Sequence, residues 1–273
     1  MAHAQKRNLA VSGAVLLLIL GSVAMLIRYS RQAQRLAELQ MNFVAGVSHE
    51  LRTPLTVIRT AAYNLRSPAF RRNEDQVERY GRMIEAESGK LDGLVEQVLS
   101  FAGAQAGHAV RSRETVDPAV LLDSEIASLR SAFESRGVTL ERNIETGLPS
   151  VIGDAGALRH AFRNLLDNAL KHGSVSEKWI GVTARTADLR GHRMVEIRVA
   201  DREPGVPASE RRRIFEPFIR GQRALSDQIH GTGLGLNLVK TIIEAHAGTV
   251  EVNNRTEGGA EFLVRIPAAE AIA

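Results

Sequence analysis

The chain opens on an unbroken apolar run. From Leu9 to Ile27 (LAVSGAVLLLILGSVAMLI) no residue carries a formal charge. As a helix this run is roughly 28 Å long at 1.5 Å per residue, close to the hydrocarbon thickness of a bilayer. It is too apolar all round to be one face of a soluble helix. The pattern then turns amphipathic. Arg28 to about Arg66 reads as one long helix, with Leu36, Leu39 and Phe43 at the heptad-like spacing of a coiled-coil stem. Pro54 falls inside it, where a proline loses one backbone hydrogen bond and bends the helix. Ser67-Pro68 signals a loop. A second helix is predicted from about Asn73 to Gln105, because Val77, Tyr80, Ile84, Leu91, Leu94, Val98 and Phe101 recur at intervals of three, four or seven. Two such helices bury little core alone. A helical hairpin pairing with a second copy as a dimeric four-helix bundle solves that.

Gly103 to Val116 is polar and small-residued and reads as a linker. Beyond it the periodicity alternates between helix and strand. Helices are predicted over about 118–137, 155–172 and 234–247, and strands over 138–143, 179–186, 195–200, 249–253 and 260–266. That mixture implies an α+β two-layer sandwich. The expected organisation is a tail (1–8), a transmembrane helix (9–27), a stem (28–42), a helical dimerisation domain (43–106), a linker (107–116), the sandwich domain (117–268) and a C-terminal tail (269–273). No internal repeat is present.

A signal peptide is the rival reading of the first run, since Lys6 and Arg7 precede it. Signal h-regions are shorter, and no small-residue cleavage site stands before the polar chain. Arg28, Arg31 and Arg35 after the span slightly outweigh Lys6 and Arg7, which favours a cytoplasmic C-terminal side. Residues 1–8 leave no room for a folded domain ahead of the span. Either nothing outside the cell is sensed or the chain is the C-terminal part of a longer sensor.

Composition excludes several function classes. The 273 residues are 24% charged and 44% hydrophobic, an ordinary globular balance. The net charge of +4 is spread along the chain and aromatics are only 4%, so no nucleic-acid partner is expected. No cysteine is present, which excludes disulfides, zinc fingers and thiolate chemistry.

Four strings carry candidate chemistry. In Ser48-His49-Glu50-Leu51-Arg52-Thr53-Pro54-Leu55, Glu50 can accept the imidazole N–H of His49 and raise the nucleophilicity of its other nitrogen. Thr53, four residues on, shares the helical face and can position a water. In Arg163-Asn164-Leu165-Leu166-Asp167-Asn168-Ala169-Leu170-Lys171-His172, the residues Asn164, Asn168 and Lys171 line one face. Amide oxygens can ligate Mg²⁺ and a neighbouring lysine can neutralise phosphate. Asp201-Arg202-Glu203-Pro204-Gly205-Val206 follows a strand, and its carboxylate can accept from an adenine amine. Gly231-Thr232-Gly233-Leu234-Gly235-Leu236 opens a helix, where backbone N–H groups can meet phosphate oxygens. It follows Ile214-Phe215-Glu216-Pro217-Phe218 at a short interval. No G-x-x-x-x-G-K-[ST] string occurs, so any nucleotide site is not a P-loop.

FVAGVSHELRTPL closely resembles the H-box of bacterial two-component sensor histidine kinases. The later strings resemble their N, G1, F and G2 boxes, in the same order, over about residues 36–267. The resemblance implies that His49 accepts the γ-phosphoryl group of ATP, with Glu50 as general base and Thr53 as a phosphatase residue. It implies that Asn168, helped by Asn164, holds Mg²⁺, and that Lys171 and His172 contact the nucleotide. Asp201 and Gly205 would serve the adenine loop. Phe215 and Phe218 would anchor a mobile lid reaching to His230, and Gly231, Thr232, Gly233, Leu234, Gly235 and Leu236 would cradle the phosphates. The implied partners are a response regulator receiver domain, a second copy of the chain, and membrane lipid through residues 9–27. The implied location is the cell's inner membrane with kinase domains in the cytoplasm. One position departs from the pattern: Glu203 stands where the G1 box has its first glycine. The alternative it motivates is a scaffold impaired in ATP binding, or biased towards phosphatase activity through Thr53. His3, His108, His192 and His246 read as surface or packing residues.

Overall fold

The computed structural model describes residues 2–67, 73–105, 109–172, 178–189, 191–202, 204–221 and 231–269. Of residues 2–12, 14, 35, 36, 38–40, 42, 43, 105 and 172 it describes the backbone alone. Two compact units divide the chain, one up to Ser48 and one from His49 onward.

Helix α1 (Ala2–Arg66) begins in the first unit. Within it Val15–Gln34 is long and apolar enough to cross a membrane by length and composition, and none of it is buried. The heptad positions Leu36, Leu39 and Phe43 fall among the side chains outside the described ones.

The second unit contains the rest of α1 and α2 (Glu74–Gln105). Pro54 does not end α1; the helix continues through it with Pro54 buried. Asn64 Nδ2 donates to Tyr80 Oη at 3.2 Å and joins the two helices. After α2 come β1 (Glu114–Val116), α3 (Pro118–Ser128), α4 (Arg130–Arg136), β2 (Thr139–Ile144), β3 (Val151–Gly153), α5 (Ala155–His172), β4 (Trp179–Leu189), β5 (His192–Asp201), a 3₁₀ turn (Arg213–Phe215), α6 (Gly235–Ala245), β6 (Thr249–Asn254) and β7 (Ala260–Pro267). The main sheet has strand order β2-β4-β5-β7-β6, parallel only between β2 and β4. Strands β1 and β3 form a separate antiparallel pair.

Three elements differ from the sequence expectation. The linker reading of 103–116 gives way at both ends: Gly103 lies inside α2, which runs on to Gln105, and Glu114–Val116 is strand β1, with Val116 buried. The helix expected over 118–137 is two helices. Ser128 Oγ donates to the Glu125 carbonyl at 2.8 Å, the same acceptor that Leu129 N–H uses at 3.1 Å. Such back-bonding bends a helix, and Leu129 leaves helical geometry at φ −96°, ψ 1°. Strand β3 was not anticipated, because three residues are too few to display an alternation.

Helices α3, α5 and α6 cover one face of the sheet. Leu122, Leu158, Phe162, Leu165, Leu166, Leu238 and Ile243 meet Ile180, Val182, Val195, Ile197, Val264 and Ile266 there, all buried. The opposite face carries charge. Glu196 lies directly across from Arg185 on β4 and Arg265 on β7. Its carboxylate accepts from Arg185 at 2.7 Å, Arg198 at 2.7 Å and Arg265 at 3.0 Å. Burial pushes the Glu196 carboxyl up, but the bonds from Arg198, Arg185 and Arg265 outweigh that and bring it down to about 2. A depressed folded-state pKa gives stability that is fully present above the unfolded value near 4.5 and is lost as pH falls towards 2. Glu196→Gln is expected to remove about 2 kcal/mol at neutral pH, an amount discounted for the partly exposed arginines. Thermal melts should show the difference between variant and parent shrinking from pH 5 to pH 2.

Candidate functional site

The second unit carries the candidate residues within α1 and α5, at the end of β5, around the 3₁₀ turn and at the start of α6. His49 and Thr53 are exposed on α1, and Glu50 is half-buried. On α5 the apolar stripe Leu158, Phe162, Leu165, Leu166 and Ala169 is buried. That leaves Asn164 and Asn168 half-buried at its edge and Lys171 exposed. His172 ends the helix, and its side chain lies outside the described ones. Burial raises the Asp167 carboxyl between them, against the pull of Lys171, Arg163 and Arg136.

Asp201 ends β5 almost wholly buried, and its Oδ1 accepts from Ala260 N at 2.9 Å. Gly205 follows at φ +80°, and a Cβ there would lie 2.7 Å from Asn254 Oδ1. That oxygen accepts from Val206 N at 2.8 Å, so the turn needs both the left-handed backbone and the missing side chain. Glu203 lies outside the described residues, as do residues 222–230, on which most of the expected lid falls.

Phe215 is buried and meets Phe262 edge-on at 6.4 Å, which fixes the 3₁₀ turn in the core. Phe218 instead meets Phe101 of α2 edge-on at 5.6 Å. Gly233 sits at φ +70°, where a Cβ would come within 2.8 Å of the Phe218 carbonyl carbon, and its own carbonyl accepts from Phe218 N at 3.0 Å. Leu234 is buried, Leu236 is packed against the core, and Thr232 Oγ1 accepts from Leu234 N at 3.2 Å. The loop therefore reaches α6 with its backbone drawn close to the segment before it. Gly231 N–H donates to Glu50 Oε1 at 3.3 Å, which brings the loop to the helix that bears His49.

Several participants went unseen in the sequence. Gln97 of α2 bonds Thr232 and Asn164; only its heptad neighbours attract notice in a periodicity search. Asn237 Nδ2 donates to the Phe215 carbonyl at 2.9 Å and ties the 3₁₀ turn to α6. Beside Asp201, Trp179 carries Arg255 at 4.4 Å and Arg202 at 5.1 Å on its ring. Arg255 also donates to the Asp201 carbonyl at 3.2 Å. His246 is a packing residue, as expected, with a definite task. Its Nε2 accepts from the buried Asp154 N at 3.0 Å, so Nδ1 carries the proton and donates to the Ile242 carbonyl at 2.7 Å. The Asp154 carboxylate accepts from Arg111 N, Ser112 N and Ala157 N. Burial raises that carboxyl, but those bonds and one from Gly156 hold it below the usual range. His246→Leu leaves the Asp154 N–H without its acceptor and is expected to cost about 1–3 kcal/mol, read by denaturant melts.

The arrangement fits a nucleotide bound by its adenine and its phosphates. A buried carboxylate ends a strand, a glycine-bearing loop opens α6, and amides line α5. Among the described residues no cluster of three or more His, Cys, Asp or Glu side chains can hold a metal. A divalent cation here would depend on amide oxygens and the phosphates themselves, the usual manner for Mg²⁺.

Comparison with known proteins agrees. The model of the histidine kinase-, DNA gyrase B- and HSP90-like ATPases matches residues 153–270. That of the His Kinase A phospho-acceptor domain matches residues 39–107. The chain belongs to the two-component sensor histidine kinases. It is 29% identical over 233 residues to the sensor-like histidine kinase SenX3 of Mycolicibacterium smegmatis, spanning 85% of this chain and 59% of that protein. It is 34% identical over 229 residues to the probable sensor histidine kinase TcrY of Mycobacterium tuberculosis, at 82% and 45%. Among solved structures, full-length ShkA in complex with AMPPNP superposes with a TM-score of 0.58 at 30% identity, over 84% of this chain and 46% of that one. The chain thus spans about half the length of these relatives.

Proposed function

We propose that the chain is an ATP-dependent protein-histidine kinase that phosphorylates itself on His49 and passes the phosphoryl group to an aspartate of a response regulator. The observation that carries this reading is the bond from Gly231 N–H to Glu50 Oε1 at 3.3 Å. It joins the candidate phosphate loop to the residue beside the acceptor histidine. A ring nitrogen of His49 attacks the γ-phosphorus; the N–P bond forms and the P–O bond to ADP breaks. Glu50 takes the imidazole proton. Asp201 selects adenine, the loop before α6 holds phosphate, and Lys171 and His172 contact the nucleotide, the lysine adding positive charge. Asn168 and Asn164 are the amides suited to a Mg²⁺ ion, which would neutralise phosphate charge. Catalysis is then mostly positioning and electrostatics. Thr53, four residues after His49 and exposed on α1, would orient a water for phosphatase activity.

The partners follow from the surface. Leu55, Tyr63, Val95 and Leu99 are exposed apolar or aromatic side chains on α1 and α2. A second copy of the chain, completing a four-helix bundle over residues 43–106, would cover them. The span within residues 9–27 anchors the protein in the inner membrane with residues from Arg28 onward in the cytoplasm, and the ATP-binding domain occupies 117–268. The test is transfer of label from γ-labelled ATP to the full chain in lipid nanodiscs, then onward to a purified receiver domain.

A further inference from the structure

Helix α2 reaches the candidate nucleotide site through one side chain. The Gln97 carboxamide works in both directions: Oε1 accepts from Thr232 Oγ1 at 3.0 Å, and Nε2 donates to Asn164 Oδ1 at 3.5 Å. The Asn164 amide is held in that orientation because its Nδ2 donates to the His160 carbonyl at 2.8 Å. Gly235 permits the meeting. A Cβ on it would lie 2.8 Å from Asn164 Oδ1 and 3.5 Å from Gln97 Nε2. Phe101, one turn further along the same face of α2, packs on Phe218. Across the loop, Gly231 N–H is taken by the Glu50 carboxylate.

We propose that Gln97 is a positioning residue, a latch that fastens the start of α6 and the Asn164 amide to α2 and competes with nucleotide for both. The inference rests on the ATP reading above. The Asn164 oxygen suited to a cation and the Thr232 hydroxyl proton suited to a phosphate are committed to the same carboxamide. The loop N–H at Gly231 is committed to a carboxylate, an anion in the place of a phosphate oxygen. Nucleotide must displace these bonds, so its apparent affinity falls by the fraction of molecules that are latched. A side chain that merely supported the fold would not weaken nucleotide binding.

The experiment compares the full chain in nanodiscs with Gln97→Leu and Gln97→Ala. Both keep α2 helical, since leucine and alanine are good helix formers. The first readout is backbone hydrogen exchange across residues 231–236 with no nucleotide added, expected to quicken about fivefold or more in both variants. The second is the Kd for AMPPNP with Mg²⁺, expected to tighten about five- to tenfold, the worth of one sound and one long hydrogen bond. Faster exchange with tighter binding supports the latch. Unchanged exchange overturns it, whether or not the parent protein binds nucleotide. Faster exchange with unchanged or weaker binding overturns the competition and makes Gln97 a supporting part of the nucleotide site. A parent protein that binds no AMPPNP overturns the ATP reading and the competition together, while the exchange arm still reports on the latch by itself.

Discussion

The chain carrying His49→Gln is expected to take no label from γ-labelled ATP, a loss on the order of 10³-fold or more. The glutamine amide nitrogen has no available lone pair, so the nucleophile is gone. The rest of the site is untouched. His49 is exposed on α1, glutamine is a good helix former, and the Glu50–Gly231 bond does not involve the substituted side chain. Nucleotide affinity should therefore match the parent, which separates loss of the acceptor from loss of the fold. The measurement is acid-labile, alkali-stable label on the parent chain beside the variant. Label that persists on the variant places the acceptor elsewhere. A folded parent that takes no label sinks the kinase reading. Glu203→Gly then decides between that outcome and an altered adenine loop, since restored labelling would convict the glutamate.

Asp201→Asn is expected to weaken ATP binding roughly 10- to 100-fold, the worth of a hydrogen bond to a charged acceptor. One oxygen of the present carboxylate accepts from Ala260 N. Asparagine keeps an oxygen for that bond, so the β5–β7 junction should survive and the melting temperature should move little. On the adenine reading proposed above, the substitution would offer an NH₂ donor to the adenine amine, itself a donor. The same donor suits the guanine carbonyl, so the ratio of GTP to ATP affinity should rise. Titration calorimetry with both nucleotides reads this directly. Equal loss for both, with a lowered melting temperature, would assign Asp201 a structural role instead.

Some elements were legible because one signal dominated them. Helix α5 runs from Ala155 to His172, the bounds expected from its apolar stripe. Strands β4 and β5 run further than their apolar cores, to Leu189 and back to His192, because register rather than apolarity carries a hairpin to its turn. The break at Leu129 depends on a hydroxyl bond that periodicity does not encode. At the site, the glycines and Asp201 stood out because a carboxylate closing an apolar strand and glycines opening a helix are recognisable as strings. Gln97 did not. A half-buried glutamine on an amphipathic helix reads as a surface residue until the domain that meets it is in place. Phe218 was expected to anchor the lid by packing, but its partner lies on α2, more than a hundred residues away, and no local pattern names it.

The chain's single tryptophan offers a last consequence. Trp179 lies under two guanidinium groups, and one of them, Arg255, also holds the Asp201 carbonyl. Its Nε1 donates to Glu141 on the neighbouring strand. Indole emission responds to nearby charge and to its own hydrogen bonding. The protein therefore carries an intrinsic optical reporter linked to Asp201 through Arg255, with no competing tryptophan signal elsewhere, and changes around Asp201 can be followed without attaching a dye.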